Sequence, residues 1–209
     1  MLTLENARQW YSANDEVHGF SHIERVYRLC EKIGSKEGAD MKILLSAALL
    51  HDARGCDATQ GERNIHHLRS AEFAAQVLGG LGWSEKDIRA VQHCIRTHRY
   101  RKQDTPETLE AKILSDADHL DAIGAVGILR ALAFAFQSGM PAFTSPSPYF
   151  LENFETQPGE AHSAYHEYLF KLKHISAHLF TTTAREIAEG RQALLNRFFE
   201  QLAAEMQGH

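Results

Sequence analysis

The chain has 209 residues, 44% of them hydrophobic, which is enough for a sizeable buried core and excludes a disordered segment. Its 22 basic and 27 acidic residues leave a net charge of -5, arguing against a general nucleic-acid binder. Three cysteines, Cys30, Cys56 and Cys94, have no CxxC spacing, so neither a disulfide framework nor a zinc knuckle is expected.

The N-terminus has no basic start followed by an apolar stretch, and no apolar run is long enough to span a bilayer. A cytoplasmic protein with no membrane partner is the expectation. Residues 2–13 predict a short helix with Leu4, Ala7 and Tyr11 on one stripe. Ser21-His-Ile-Glu24 has capping-box spacing, so a helix is expected to begin at Ser21 with Ile23, Val26, Leu29, Cys30 and Ile33 inward and to end at Gly34 to Gly38. His22 then sits in its first turn, with Arg25 one turn along. The run LLSAALL from Leu44 to Leu50 is apolar on nearly every face, the mark of a helix enclosed by others. It stops abruptly at His51-Asp52, where the negative end of the helix dipole favours a cation.

Residues 53–65 read as a polar loop. A helix follows over 66–78, opened by His66 and His67, which either approach His51-Asp52 or stand exposed at the helix start. Ser84 caps the next helix, whose stripe Val91 and Ile95 turns His98 toward the core. His93 is five residues before His98 and cannot face the same way. Around His98 stand Arg96, Arg99, Arg101 and Lys102, either a phosphate-binding cluster or a solvated basic helix end. Thr105-Pro106 signals another helix start, from which Asp116, Asp118 and Asp121 arrive on a helix continuing through Ile123, Val126 and Leu129. A buried carboxylate there needs a partner. Residues 139–160, holding Pro141, Pro146, Pro148 and Pro158, read as a long connection. Two helices, 161–174 and 176–206, close the chain. The periodicity is helical throughout, so the fold class expected is all-α. It is one compact domain with a core over about 15–138, a loop over 139–160 and a C-terminal helical extension over 161–206.

In order, His22, His51-Asp52 and Asp118 resemble the H…HD…D signature of the HD-domain metal-dependent phosphohydrolases. The strings HxxRV at His22, RSAE at Arg69, IxxH at Ile95 and DADxLDAIGAxG at Asp116 are similar to one branch of small bacterial cytosolic HD hydrolases. The resemblance implies His22, His51, Asp52 and Asp118 as ligands of one divalent transition metal ion. Mixed nitrogen and oxygen donors suit Mn²⁺, Fe²⁺, Co²⁺ or Ni²⁺. Such an ion activates water against a phosphoester or phosphoanhydride, and the family points to a nucleotide as the small-molecule substrate. His98 and Arg25 are the expected catalytic residues, His98 as a hydrogen-bond donor to the phosphoryl group from a near-neutral pKa. Arg96, Arg99, Asp121 and His18 are the expected substrate contacts.

Two alternatives stay open: a di-iron oxygenase on the same fold, drawing on His66, His67, His93 or His98, and a non-catalytic nucleotide-binding module. Thirteen histidines mean that several are bystanders. The i,i+4 pairs His162/His166 and His174/His178 lack a visible third ligand. The family pattern is broken at Gly19, where many relatives have the aspartate of HDxxH. It is broken again at Arg54-Gly55, which replaces the lysine-bearing HDxGK of cyclic-dinucleotide phosphodiesterases, so that activity is not expected.

Overall fold

A computed structural model describes residues 2–11, 19–54, 65–99 and 105–209. Among these residues the regular structure is helical, as expected for an all-α chain. The helices are α1 (Leu4–Ala7), α2 (Phe20–Glu37), α3 (Met41–Leu50), α4 (His66–Gly80), α5 (Glu85–Thr97), α6 (Leu109–Asp121), α7 (Gly124–Gln137), α8 (Pro148–Asn153), α9 (Ala164–Phe170) and α10 (Thr182–Met206). Short 3₁₀ segments follow α1 (Arg8–Trp10) and α9 (Leu172–His178). Among the described residues no single helix is long and apolar enough to cross a membrane. The chain divides into two compact units, Met1–His119 with Phe180–Ala184, and Leu120–Leu179 with Arg185–His209.

In the first unit α3 is the axis. Leu44, Ala47, Ala48, Leu49 and Leu50 are buried, and α1, α2, α4 and α5 pack around them. Each such leucine contributes roughly 1.5–3 kcal/mol by leaving water. The carboxylate of Asp40 starts this helix by accepting from the N–H groups of Lys42 (3.0 Å) and Ile43 (3.2 Å). Gly34, inside α2, lets α3 approach closely: a Cβ there would stand 2.5 Å from Leu44 Cδ2. The next glycine, Gly38, ends α2 with φ 78°, donating its N–H to the Gly34 carbonyl.

Three boundaries differ from the sequence reading. The N-cap of α2 is Gly19 and not Ser21. Phe20 is drawn into the helix because its ring is buried beside Tyr11 (centroids 5.8 Å) and under the Arg8 guanidinium (4.5 Å). Thr105-Pro106 stays outside α6, since Nε2 of His93 accepts the Glu107 N–H (3.2 Å) and Thr108 caps the helix at Ala111 N. The helix expected to run from Asp116 past Leu129 breaks after Asp121, where Gly124 takes φ 75° at the start of α7.

The second unit is built on α7, α9, the 3₁₀ segment and most of α10, with Tyr168 stacked on Phe199 at 4.7 Å. The connection expected over 139–160 contains the short helix α8, capped by Ser147. Its course is pinned by Glu160, which accepts from Ser147 N (2.7 Å), Ser147 Oγ (2.8 Å) and Gln157 N (2.9 Å).

Candidate metal centre

The first unit gathers its titratable side chains where α3 ends. His51 is fully buried, and its Nδ1–H donates to the Ala48 carbonyl one turn back (2.9 Å). A carbonyl can only accept, so the proton is on Nδ1 and the lone pair on Nε2. That lone pair faces His22 Nε2 at 3.3 Å. His22, buried in the first turn of α2, also lies 3.4 Å from Asp118 Oδ1 of α6. The ligating atoms of His22, His51 and Asp118 all fall within 4.8 Å of one another.

Asp52 turns one oxygen toward this group and the other away from it. Its Oδ2 stands 3.9 Å from His22 Nε2 and 3.8 Å from His51 Nε2. Its Oδ1 stands 3.2 Å from His66 Nε2 and 3.7 Å from His98 Nε2, and these three form a second close set. Although buried among these rings, Oδ1 has no aligned hydrogen bond. Ligands held about 2.1 Å from one ion are roughly 3–3.5 Å apart, so the spacings and the donor types fit a divalent cation between them. Backbone carbonyls orient the imidazoles from behind, as metal-binding histidines require. Burial opposes ionisation of Asp52, but His51, His66 and His98 outweigh it and hold the carboxyl well below its ordinary range. Asp118 behaves in the same way: burial opposes its charge, and His22, His98 and His51 together prevail.

The four residues singled out as ligands, His22, His51, Asp52 and Asp118, are thus brought together. The helical register also decides which carboxylate of α6 faces them. Asp116, two residues earlier, is turned away and saturated by Phe180 N (2.8 Å), Thr181 N (2.8 Å) and Thr181 Oγ1 (2.7 Å). It is a tether for the segment leading into α10.

Other expectations change. His98 Nδ1–H donates to the Ile95 carbonyl at 2.6 Å, so Nε2 presents a lone pair and not a proton. Burial also pushes its pKa down to about 4. The expected near-neutral donor is therefore a neutral acceptor. Asp121 is buried and ion-paired with Arg130 (2.8 Å) inside the second unit, which replaces its expected substrate contact. Arg25, Arg96 and Arg99 are half-buried, whereas His18, Arg101 and Lys102 lie outside the described residues.

His66 enters the sequence reading only through the di-iron alternative, as a residue approaching His51-Asp52, and otherwise reads as an exposed histidine at a helix start. It opens α4, and its Nε2 reaches Asp52. The available signal was the spacing His66, Ser70, Phe73, one face of a helix that turns out to line the His51–Arg54 turn. Among the bystanders, His93 serves the chain as an acceptor for Glu107 N. His166 is engaged on both ring nitrogens, by Ser163 Oγ (2.7 Å) and Glu160 Oε1 (3.3 Å), so the pair it forms with His162 is no clamp.

A helical unit whose central helix ends in a His-Asp pair, met by a histidine and an aspartate from flanking helices, defines a class. Residues 19–123 match the HD domain family, and the chain belongs to it. YpgQ of Bacillus subtilis strain 168 is 34% identical over 98% of this chain and 94% of its own length. The crystal structure of B. subtilis YpgQ in complex with ADP superposes with a TM-score of 0.74 at 32% identity, covering 99% of both chains. An HD-superfamily hydrolase from Bacillus thuringiensis gives 0.67 at 25% identity, covering 99% of this chain and 97% of its own. The fold is that of the HD-superfamily hydrolases.

Proposed function

We propose that the protein is a metal-dependent phosphohydrolase that cleaves a phosphoester or phosphoanhydride bond of a nucleotide. The observation that carries this is the convergence of four donors: Nε2 of His22 and His51 lie 3.3 Å apart, Asp118 Oδ1 lies 3.4 Å from His22, and Asp52 Oδ2 lies 3.9 and 3.8 Å from the two rings. A nucleotide substrate is supported by the ADP bound to YpgQ. A divalent ion held by these four residues supplies Lewis acidity toward water and toward a phosphoryl oxygen. The chain's own groups do the positioning. The Ala48 carbonyl fixes the His51 ring, and the ionised Asp52 and Asp118 keep the centre anionic enough to hold a cation. His98 Nε2 accepts a hydrogen bond from water or from a protonated phosphoryl oxygen. Arg25, Arg96 and Arg99 are the proposed contacts to the remaining phosphate oxygens.

A second reading has its own observation. Asp52 presents Oδ1 to His66 and His98 while Oδ2 faces the first group, so Asp52, His66 and His98 would be the residues to hold a second ion. Metal analysis separates the readings: one equivalent per chain for the first, two for the second. The function is tested by assaying nucleoside mono-, di- and triphosphates with Mn²⁺, following both phosphate and pyrophosphate. Turnover that disappears on chelation and in Asp118→Ala supports it. No turnover across the panel in a metal-loaded preparation leaves the non-catalytic nucleotide-binding module.

A further inference from the structure

The last turn of α3 leads directly into His51 and Asp52, and its carbonyls must find donors, because a helix end leaves them without the N–H groups of a following turn. Two are served from nearby. The Ala48 carbonyl accepts the His51 ring N–H (2.9 Å), and the Leu50 carbonyl accepts the Ala53 N–H (3.2 Å). In a continued helix that Ala53 N–H would serve Leu49. The next N–H, from Arg54, is given to Ser70 Oγ (3.1 Å). The carbonyl of Leu49, a residue only 1% exposed, is met instead by the Tyr11 hydroxyl, which donates at 2.8 Å from 38 residues upstream.

Tyr11 belongs to a short N-terminal segment fastened to three helices. Arg8 lies over the Phe20 ring of α2, 4.5 Å from its centroid, and pairs with Glu24 (3.5 Å). Trp10 stands edge-on to Phe73 of α4 (5.5 Å). Tyr11 is buried against Phe20 (5.8 Å) while its hydroxyl reaches α3. These are the helices at whose ends His22, His51-Asp52 and His66 stand, all within the first unit. We infer that Tyr11 is a positioning residue of the metal centre: its hydroxyl fixes the Leu49 carbonyl, and with it the direction in which His51 and Asp52 leave α3. This rests on the metal-dependent reading above and adds to it a residue outside the ligand set. Without the donor, a buried carbonyl would be left unpaired, and the peptide planes of the turn would rotate toward another partner. Such a rotation swings the side chains next in sequence. Groups that orient a metal ligand from behind are worth about 10- to 100-fold in metal affinity, and Tyr11, acting through the backbone, belongs at the lower end.

The test is calorimetric titration of chelator-stripped protein with Mn²⁺. Tyr11→Phe keeps the ring against Phe20 and removes only the hydroxyl, and it is expected to weaken Mn²⁺ binding about tenfold. Replacing Tyr11 by p-aminophenylalanine, which returns an N–H donor to the same place, is expected to recover most of that loss. Glu160→Gln, which loosens the second unit, separates positioning from general stability, and its Mn²⁺ affinity should stay within about twofold of wild type. Circular dichroism of the metal-free proteins checks that each is folded. If Tyr11→Phe does not fold, Arg8→Ala, which unfastens the same segment from α2 at an exposed position, takes its place. That variant should weaken Mn²⁺ binding about threefold, the weight of an exposed cation–π contact. Unchanged affinity in Tyr11→Phe, or in Arg8→Ala where it stands in, overturns the assignment and leaves the metal centre in place. A loss that the p-amino variant repeats in full, or that Glu160→Gln matches, does the same. A wild type that binds no Mn²⁺ overturns the centre itself and the role of Tyr11 with it.

Discussion

Asp52 is the residue on which the chemistry of the centre turns, because its two oxygens face different histidines. His98 is the sharper probe. Its Nε2 lone pair, imposed by the Nδ1–H bond to Ile95, can serve either a water molecule or a second cation. With one ion bound by the first group, His98→Gln should leave metal content at one equivalent and lower kcat by about 10²-fold, the lower end for a positioned acid or base. With two ions, the same variant should fall from two equivalents to one. Metal analysis beside steady-state kinetics reads both. Changing His22, His51, Asp52 or Asp118 to alanine should remove metal and activity together, since each would leave the others as an incomplete set.

Between elements, two junctions of the second unit are held by identifiable contacts. Gly124 starts α7 with φ 75°, and a Cβ there would also press on Arg191 at 3.0–3.4 Å. The same arginine donates to the Leu120 carbonyl at the end of α6 (2.6 Å). Gly124→Ala should therefore destabilise the protein by about 1–2 kcal/mol, the penalty for a left-handed non-glycine residue, measured by denaturant unfolding. The segment around α8 depends instead on Glu160. Backbone N–H donation from Gln157 and Ser147, with the Ser147 hydroxyl and His166, lowers its pKa from 4.5 to about 2. A carboxyl whose folded pKa lies below its unfolded value stabilises fully above the unfolded value and loses that contribution as pH falls toward the folded one. Thermal unfolding should accordingly show a wild-type advantage over Glu160→Gln at pH 6 that fades between about pH 4.5 and 2. An advantage unchanged across that window would assign the effect to shape and not charge.

At the scale of the whole molecule, a cation that binds only the assembled centre must stabilise the fold by mass action. The first unit draws its ligands from α2, the end of α3 and α6, so unfolding disperses them. Mn²⁺ at a hundred times its dissociation constant should raise the unfolding free energy by about 2.7 kcal/mol. A chelator should reverse the gain, and His51→Ala should show none. A rise in Tm that persists in His51→Ala would locate the stabilising ion elsewhere.

Much of this architecture was legible in the sequence because helical periodicity and caps are local. The all-apolar run over Leu44–Leu50 announced an enclosed helix, and His51-Asp52 marked the end of it where the helix dipole favours a cation. Ser84 announced the start of α5. The ordered set His22, His51-Asp52, Asp118 was recognisable because each residue sits at a defined place on its own helix. Tertiary structure alone decided the rest, for a physical reason common to all of it: these features depend on groups distant in sequence competing for the same atoms. Asp116 and Asp118 are equivalent by type, and only the demand of Phe180 and Thr181 for an acceptor separates them. Thr105-Pro106 is a sound helix start until His93 takes the Glu107 N–H. His66 looks like a surface histidine until the face of α4 that carries it is laid along the turn after α3, bringing it to Asp52 and Phe73 to Arg54.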